Sequence, residues 1–301
     1  MRFFDSDKMT VDFVGKRRLF IILSAIAIMI GLASLMFRGG LNYGIDFAGG
    51  TMVQVRFDKA VAADEIRQAL APVDMGDISI QKFDDQSTNE FLIRVEQSKS
   101  DLVGLSDEIK LMLDKVFGSE NVDVRRVEMV GPKVGKDLRR QGLLAIVYAM
   151  IGILIYITLR FEFRFALGAV LALAHDVMIT VGVFALLDKE FSLPIVAALL
   201  AIVGYSLNDT IVVYDRIREN MKSGGRLDFV GVVNNSINQT ISRTMLTSLT
   251  TLLVLLSLFF LGGGVIHDFA FAMIVGVVVG TYSSIFIASP VVILMQAKKG
   301  K

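Results

Sequence analysis

The sequence predicts an α-helical integral membrane bundle of six spans with one small α+β domain outside the membrane. Three observations carry that expectation. Of 301 residues, 53% are hydrophobic and only 20% charged, against about 25% charged in soluble domains. The apolar residues fall into runs of spanning length, where about 18 or more mark a membrane helix. The polar residues gather in one block: residues 38–140 hold 18 of the 30 acids and 15 of the 31 bases, a net of −3, which leaves the rest at +4. There is no Cys, which removes disulfides, thiolate catalysis and Cys-ligated metals. His175 and His267 are far apart, so no His-rich zinc site is expected. A net charge of +1 does not suggest nucleic-acid binding, which would need a basic surface.

The first apolar run is Leu19–Phe37, preceded by Lys16, Arg17 and Arg18. A cleaved signal peptide also starts basic, but this run is longer than the usual apolar region and ends without an A-x-A site, so an uncleaved anchor is expected. The other runs lie at about 143–159, 165–187, 193–214, 245–261 and 269–295. Orientation follows the bases of the short loops. Lys16–Arg18, then Arg160 and Arg164, then Arg216, Arg218, Lys222 and Arg226, and finally Lys298, Lys299 and Lys301 share one side, whereas the other side has only Lys189 in one short loop and no base in Gly262–Asp268. Both termini are therefore expected in the cytoplasm, with 38–140 outside it, in a periplasm-like space if the host is a diderm bacterium. The domains expected are 1–37 (N-terminus and first span), 38–140 (external domain) and 141–301 (five-helix bundle and C-terminus).

Inside the external block, Thr51–Phe57 alternates as a strand, Ala60–Leu70 reads as a helix, and Ile78–Phe83 and Phe91–Glu96 as two strands. Ser100–Phe117 is an amphipathic helix with Leu102, Leu105, Ile109, Met112, Leu113 and Val116 apolar, and Asn121–Val130 is a last strand. The order β-α-β-β-α-β is a split βαβ, ferredoxin-like arrangement with two helices on one face of the sheet. The block has no His, no Cys and no phosphate loop; Gly131–Lys136 is one residue short of a P-loop and is followed by Asp137.

Ionisable groups inside spans cost about 2.5–3.5 kcal/mol each on insertion scales and mark pathways by default. His175 and Asp176 lie near the middle of the third span; Asn208, Asp209 and Thr210 lie in the fourth. Ser236, Thr240, Arg243, Thr247, Thr250 and Thr251 recur at three or four residues, as one polar stripe entering the fifth. Spans four and five are antiparallel neighbours joined on the cytoplasmic side, so a snorkelling Arg243 can reach Asp209. A carboxylate whose guanidinium partner leaves and returns alternates between protonated and ionised states, as a proton-carrying site requires. Blander roles exist: Asp209 as a structural hydrogen-bond partner, Arg243 as an interface anchor, and His175 with Asp176 as a tie between helices rather than a relay. Gly276 and Gly280 suit a helix-packing seam, and Gly262–Gly264 a turn.

Several long motifs resemble one family. They are Leu41-Asn42-Tyr43-Gly44-Ile45-Asp46-Phe47-Ala48-Gly49-Gly50, Ala174-His175-Asp176-Val177, Gly204-Tyr205-Ser206-Leu207-Asn208-Asp209-Thr210, Asp215-Arg216-Ile217-Arg218-Glu219-Asn220, Asn235 through Thr244, Thr247-Ser248-Leu249-Thr250-Thr251 and Gly280 through Pro290. Together they resemble the SecD/SecF family of protein-export membrane subunits, related to the resistance-nodulation-division (RND) transporters. The resemblance implies an RND-half-like bundle and an accessory role in the Sec translocase, using the proton motive force to promote late steps of preprotein export. It implies SecD as partner, the SecYEG translocon and YajC as further partners, exported unfolded preproteins as clients, and no enzyme activity, metal or cofactor. The family's proton-coupling Asp and Arg fall on Asp209 and Arg243, with Asn208, Thr210 and Thr247 as supporting polar residues. Two alternatives stand beside it: half of an RND-type small-molecule exporter, and an intramembrane aspartyl protease using Asp176 and Asp209. The protease lacks the glycine expected beside its acid, since Ser206-Leu207-Asn208 precede Asp209.

Overall fold

The computed structural model describes residues 11–72, 78–82, 89–95, 104–223 and 228–299. In chain order the elements are α1 (Arg17–Phe37), α2 (Ile45–Ala48), β1 (Gly50–Phe57), α3 (Ala63–Leu70), β2 (Ile78–Lys82), β3 (Glu90–Val95), α4 (Leu105–Phe117), β4 (Val122–Val130), α5 (Pro132–Arg160), α6 (Phe163–Leu186), α7 (Leu193–Lys222), α8 (Phe229–Leu261), α9 (Gly263–Ser283), a π-helical turn (Ser284–Ala288) and α10 (Ser289–Lys299). They divide into two units: residues 43–143 with 190–193, and the remainder.

The first unit is the α+β domain. Its four strands are antiparallel in the order β2-β3-β1-β4, the split βαβ arrangement that the sequence predicts. Period-two alternation sets the register: Val53 pairs with Ile93 on one side and Val127 on the other, so Val53, Val55 and Phe57 share a face with Phe91, Ile93 and Val95. Against that face α3 presents Ile66, Ala69 and Leu70, and α4 presents Ile109 and Leu113. Expected and observed elements agree within a few residues, except that the short α2 and a 3-10 turn at Ser119–Asn121 were not foreseen. Phe83, Glu96 and the start of the second amphipathic helix, Leu102 included, lie outside the described residues. The Gly131–Lys136 run forms the approach to α5 and its first turn, where a Cβ on Gly135 would stand 3.0 Å from the Phe47 carbonyl oxygen.

The second unit is helical. Six stretches among the described residues are long and apolar enough to cross a membrane: α1, α5, α6, α7, α8 and the continuous Ile266–Gln296. Several run past their apolar windows, because a backbone already helical continues as long as its polar residues are helix-compatible. Thus α7 continues to Lys222, and α8 begins at Phe229, where the Asp228 carboxylate accepts the Gly231 N–H at 2.9 Å. Pro290 cannot supply an N–H to the last span. The helix widens to a π-turn just before it, and the Ser289 hydroxyl donates to the Ser284 carbonyl at 2.9 Å. Small residues set the crossings. A Cβ on Gly276 would lie 2.2 Å from the Ile202 side chain, one on Gly280 2.9 Å from Ser206 Cβ, and one on Gly31 2.8 Å from Gly182 Cα. The Gly276–Gly280 seam is therefore a contact of α9 with α7.

Candidate functional site in the membrane bundle

On α7 the residues Ser206, Asp209, Thr210 and Val213 are buried at helical spacing and form its inward face. Asp209 is 1% exposed, whereas Asn208, off that face, is exposed. Two side chains of α8 act on the Asp209 carboxyl, the hydroxyl of Ser248 and the guanidinium of Arg243. Asp209 Oδ2 is buried without a hydrogen-bond partner, as are the hydroxyls of Thr210 and Thr244.

The structure divides the polar stripe of α8 into two. Ser236, Thr240, Thr244 and Ser248, four residues apart, are buried. Arg243 and Thr250 are exposed in this single chain, and Thr247 and Thr251 are half-buried beside them. These threonines donate back to their own helix: Thr247 to the Arg243 carbonyl at 3.1 Å, Thr250 to Leu246 at 3.0 Å and Thr251 to Thr247 at 3.0 Å. Asp209 and Arg243 interact electrostatically without an ion pair between them among the described residues.

His175 and Asp176 join a different cluster. Both are buried on α6. One Asp176 oxygen lies 2.9 Å from His175 Nδ1, and the other accepts from Ser206 Oγ at 2.5 Å and from Ser283 Oγ at 2.8 Å. His175 Nε2 is 3.0 Å from Ser24 Oγ, which is 2.8 Å from the Tyr282 hydroxyl; Tyr282 in turn donates to the Phe20 carbonyl at 2.6 Å. The chain of hydrogen bonds ties α1, α6, α7 and α9 together, and its carboxylate is fully occupied. Asp176 and Asp209 thus have separate partners, unlike a protease dyad, in which two carboxyls about 3 Å apart share a proton.

Sequence reasoning missed Ser24, Tyr282, Ser283 and Ser248 as site residues. Ser24, one of two serines with Ser34 in the apolar first run, was an available signal. It also missed Asn234 and Asn238, whose side-chain oxygens accept the backbone N–H groups of Phe13 and Val11, each at 2.9 Å. Ser206 is close to both acids in the chain of contacts. It bonds Asp176 and stands one turn from Asp209 on the same face.

Comparison with known proteins gives a match to the C-terminal part of the protein export membrane proteins SecD/SecF over residues 109–298, and to the SecD/SecF GG motif over residues 34–61. The chain belongs to the SecD/SecF family. It is 55% identical to the protein translocase subunit SecF of Magnetococcus marinus, over 95% of this chain and 92% of that one. Against SecF of Calditerrivibrio nitroreducens it is 48% identical, over 95% and 94%. The crystal structure of SecDF from Thermus thermophilus, a translocon-associated membrane protein, superposes with a TM-score of 0.85 at 41% identity, covering 96% of this chain and 39% of that one. This is a multi-pass membrane protein of the protein translocase family. Within the GG motif, Gly49 and Gly50 have φ of 82° and 122°, a backbone region that favours glycine.

Proposed function

We propose that the chain, paired with SecD, uses the proton motive force to promote late steps of preprotein export across the bacterial cytoplasmic membrane. It acts as a transport subunit rather than an enzyme. Both termini are cytoplasmic and residues 38–140 are periplasmic; 1–37 and 141–301 supply the anchor and the bundle. SecYEG and YajC are the neighbouring partners, and unfolded preproteins the clients. The observation that carries the reading is Asp209, a carboxyl buried in a span with Oδ2 unpartnered and a guanidinium near but not locked onto it. Such a carboxyl can take a proton or a guanidinium in turn, and each charge crossing the field supplies about 2.3 kcal/mol per 100 mV. The exposure of Arg243 supports a second membrane half covering that face, because a guanidinium facing lipid is costly.

The test is preprotein translocation into inverted vesicles containing SecD, with and without an uncoupler. Asp209→Asn and Arg243→Met should each abolish the uncoupler-sensitive part and leave ATP-driven initiation intact. Arg243→Lys retains part of it if charge alone suffices. Full uncoupler-sensitive export in Asp209→Asn would refute the proposed role.

A further inference from the structure

Asp209 stands beside a pair of hydroxyls carried by two other helices. Ser248 on α8 and Thr281 on α9 are both buried, and their hydroxyl oxygens are 2.6 Å apart. Thr281 also donates to the Val277 carbonyl of its own helix at 2.8 Å. Two contacts fix how α7 runs past α8: Tyr205 donates to Ser248 at 3.4 Å, and Asn220 donates to Ser236 at 2.8 Å. Antiparallel helices in that register bring Asp209, four residues past Tyr205, opposite the turn Thr244–Ser248. There the Ser248 hydroxyl acts on the Asp209 carboxyl. Arg243 on α8, Tyr205 on α7 and, beyond Ser206, the pair His175 and Asp176 are the other ionisable groups on this side of the bundle among the described residues.

A hydroxyl has one hydrogen to give. With Thr281 donating to Val277, the Ser248–Thr281 bond must be donated by Ser248, which leaves Ser248 no hydrogen for Asp209. A protonated Asp209 completes that arrangement by donating to Ser248 itself. An ionised Asp209 can only accept, and it attracts the stronger, charge-assisted bond. Ser248 then turns to the carboxylate, Thr281 turns to Ser248, and the Val277 carbonyl keeps the backbone N–H that an α-helix supplies four residues on. Each hydroxyl has a partner in both arrangements. The separations of 2.6 and 2.8 Å suit an O–H donor in either direction, so hydrogens alone need to move.

We propose that Ser248 and Thr281 form a reversible hydrogen-bond chain that follows the proton on Asp209. The chain points from Asp209 to the α9 backbone when the acid is protonated, and from α9 to Asp209 when it is ionised. Ser248 and Thr281 are then positioning residues, acting through Asp209. The inference rests on the proton-carrying role proposed for Asp209. It adds how α7, α8 and α9 stay bonded to one another while the charge between them changes, and how an ionised Asp209 is held before any guanidinium meets it.

The test uses the full chain with SecD in inverted vesicles. Infrared difference spectra between acidic and alkaline medium contain the carbonyl band of a protonated carboxyl, and Asp209→Asn assigns that band by removing it. Thr281→Val keeps the side-chain shape and removes the hydroxyl. It should shift the Asp209 band, and it should have no further effect in a chain that already carries Ser248→Ala, because its influence passes through Ser248. Thr281→Ser restores the hydroxyl and should return the band to its place. Uncoupler-sensitive export in the same vesicles should fall severalfold in Thr281→Val and recover in Thr281→Ser. An unmoved band in Thr281→Val, or shifts that simply add in the double variant, would overturn the chain and leave the role of Asp209 standing. A band that moves as expected, beside full uncoupler-sensitive export by Asp209→Asn, would uphold the chain and refute the coupling role. If Asp209→Asn removed no band, Asp209 would take no proton and both would fall.

Discussion

Replacing Asp176 by Asn and by Ala separates a structural carboxyl from a proton-carrying one. The Asp176 carboxylate is met by three side-chain groups: His175 Nδ1, Ser206 Oγ and Ser283 Oγ. In Asp176→Asn the amide oxygen can take the place of the oxygen that receives both serines, and the NH2 can face His175. His175 answers by accepting at Nδ1 and donating from Nε2 to Ser24, which donates to Tyr282, which already donates to the Phe20 carbonyl. Every group keeps a partner, so the cost should stay within about 1 kcal/mol. Asp176→Ala offers no such exchange. Ser283 has a second acceptor in the Gly280 carbonyl at 3.1 Å, and Ser206 can turn to its own helix, but His175 Nδ1 loses its partner in a buried site. With the small cavity added, a loss of about 2–4 kcal/mol is expected.

Reversible unfolding in mixed micelles would measure both variants, alongside export in vesicles normalised to assembled protein. Asp176→Asn should export with its uncoupler sensitivity intact. A loss of about 3–5 kcal/mol in the Asn variant would mean that His175 and Asp176 are a buried ion pair, whose broken half is expensive, and the neutral exchange above would be wrong. A stable Asn variant without uncoupler-sensitive export would place Asp176 on the proton path.

Two further outcomes are expected. A cysteine at Lys59, exposed in the external domain, should react with an impermeant maleimide in intact spheroplasts, while one at Ser223, exposed beyond the end of α7, should react only after permeabilisation; the opposite pattern would invert the topology. Gly276→Ala puts a methyl into Ile202 and should lower stability by about 1–3 kcal/mol through overpacking. Ile202→Ala in the same chain should recover part of that loss, and no recovery would show that the α9–α7 seam is not set by this pair.

The spans and the order of the external domain were legible because each rests on local periodicity. Val53, Val55 and Phe57 alternate, Ile109 and Leu113 recur at four, and runs such as 165–187 have no other stable solution in lipid. Helix ends were less legible, since hydropathy stops at the membrane edge while α7 and α8 continue in polar sequence to Lys222 and from Phe229. The motif Tyr43–Gly50 was visible as a resemblance. Its contacts with Phe191 and Leu193 were not, because Tyr43, Gly44 and Asp46 meet residues about 150 places along the chain through a backbone bridge and a carboxylate cap, and no period announces such contacts.

Polar residues within apolar spans drew the same suspicion from the sequence, and the structure sorts them by whether their bonding is complete. Thr247, Thr250 and Thr251 satisfy themselves on their own helix, and Asp176 is saturated by neighbours from three helices. The bonds to Asp176 join α6 to α7 and α9 and hold those helices in one arrangement, since moving them apart breaks bonds that lipid cannot replace. Asp209 differs: Oδ2 has no partner, Thr210 beside it is unpartnered too, and the counter-charge on α8 is near but unbound. An incomplete site within a complete framework can change its bonding without dismantling the bundle. A shared residue pair makes the two parts answer to one helix, because Ser206 fastens α7 to Asp176 one turn from Asp209.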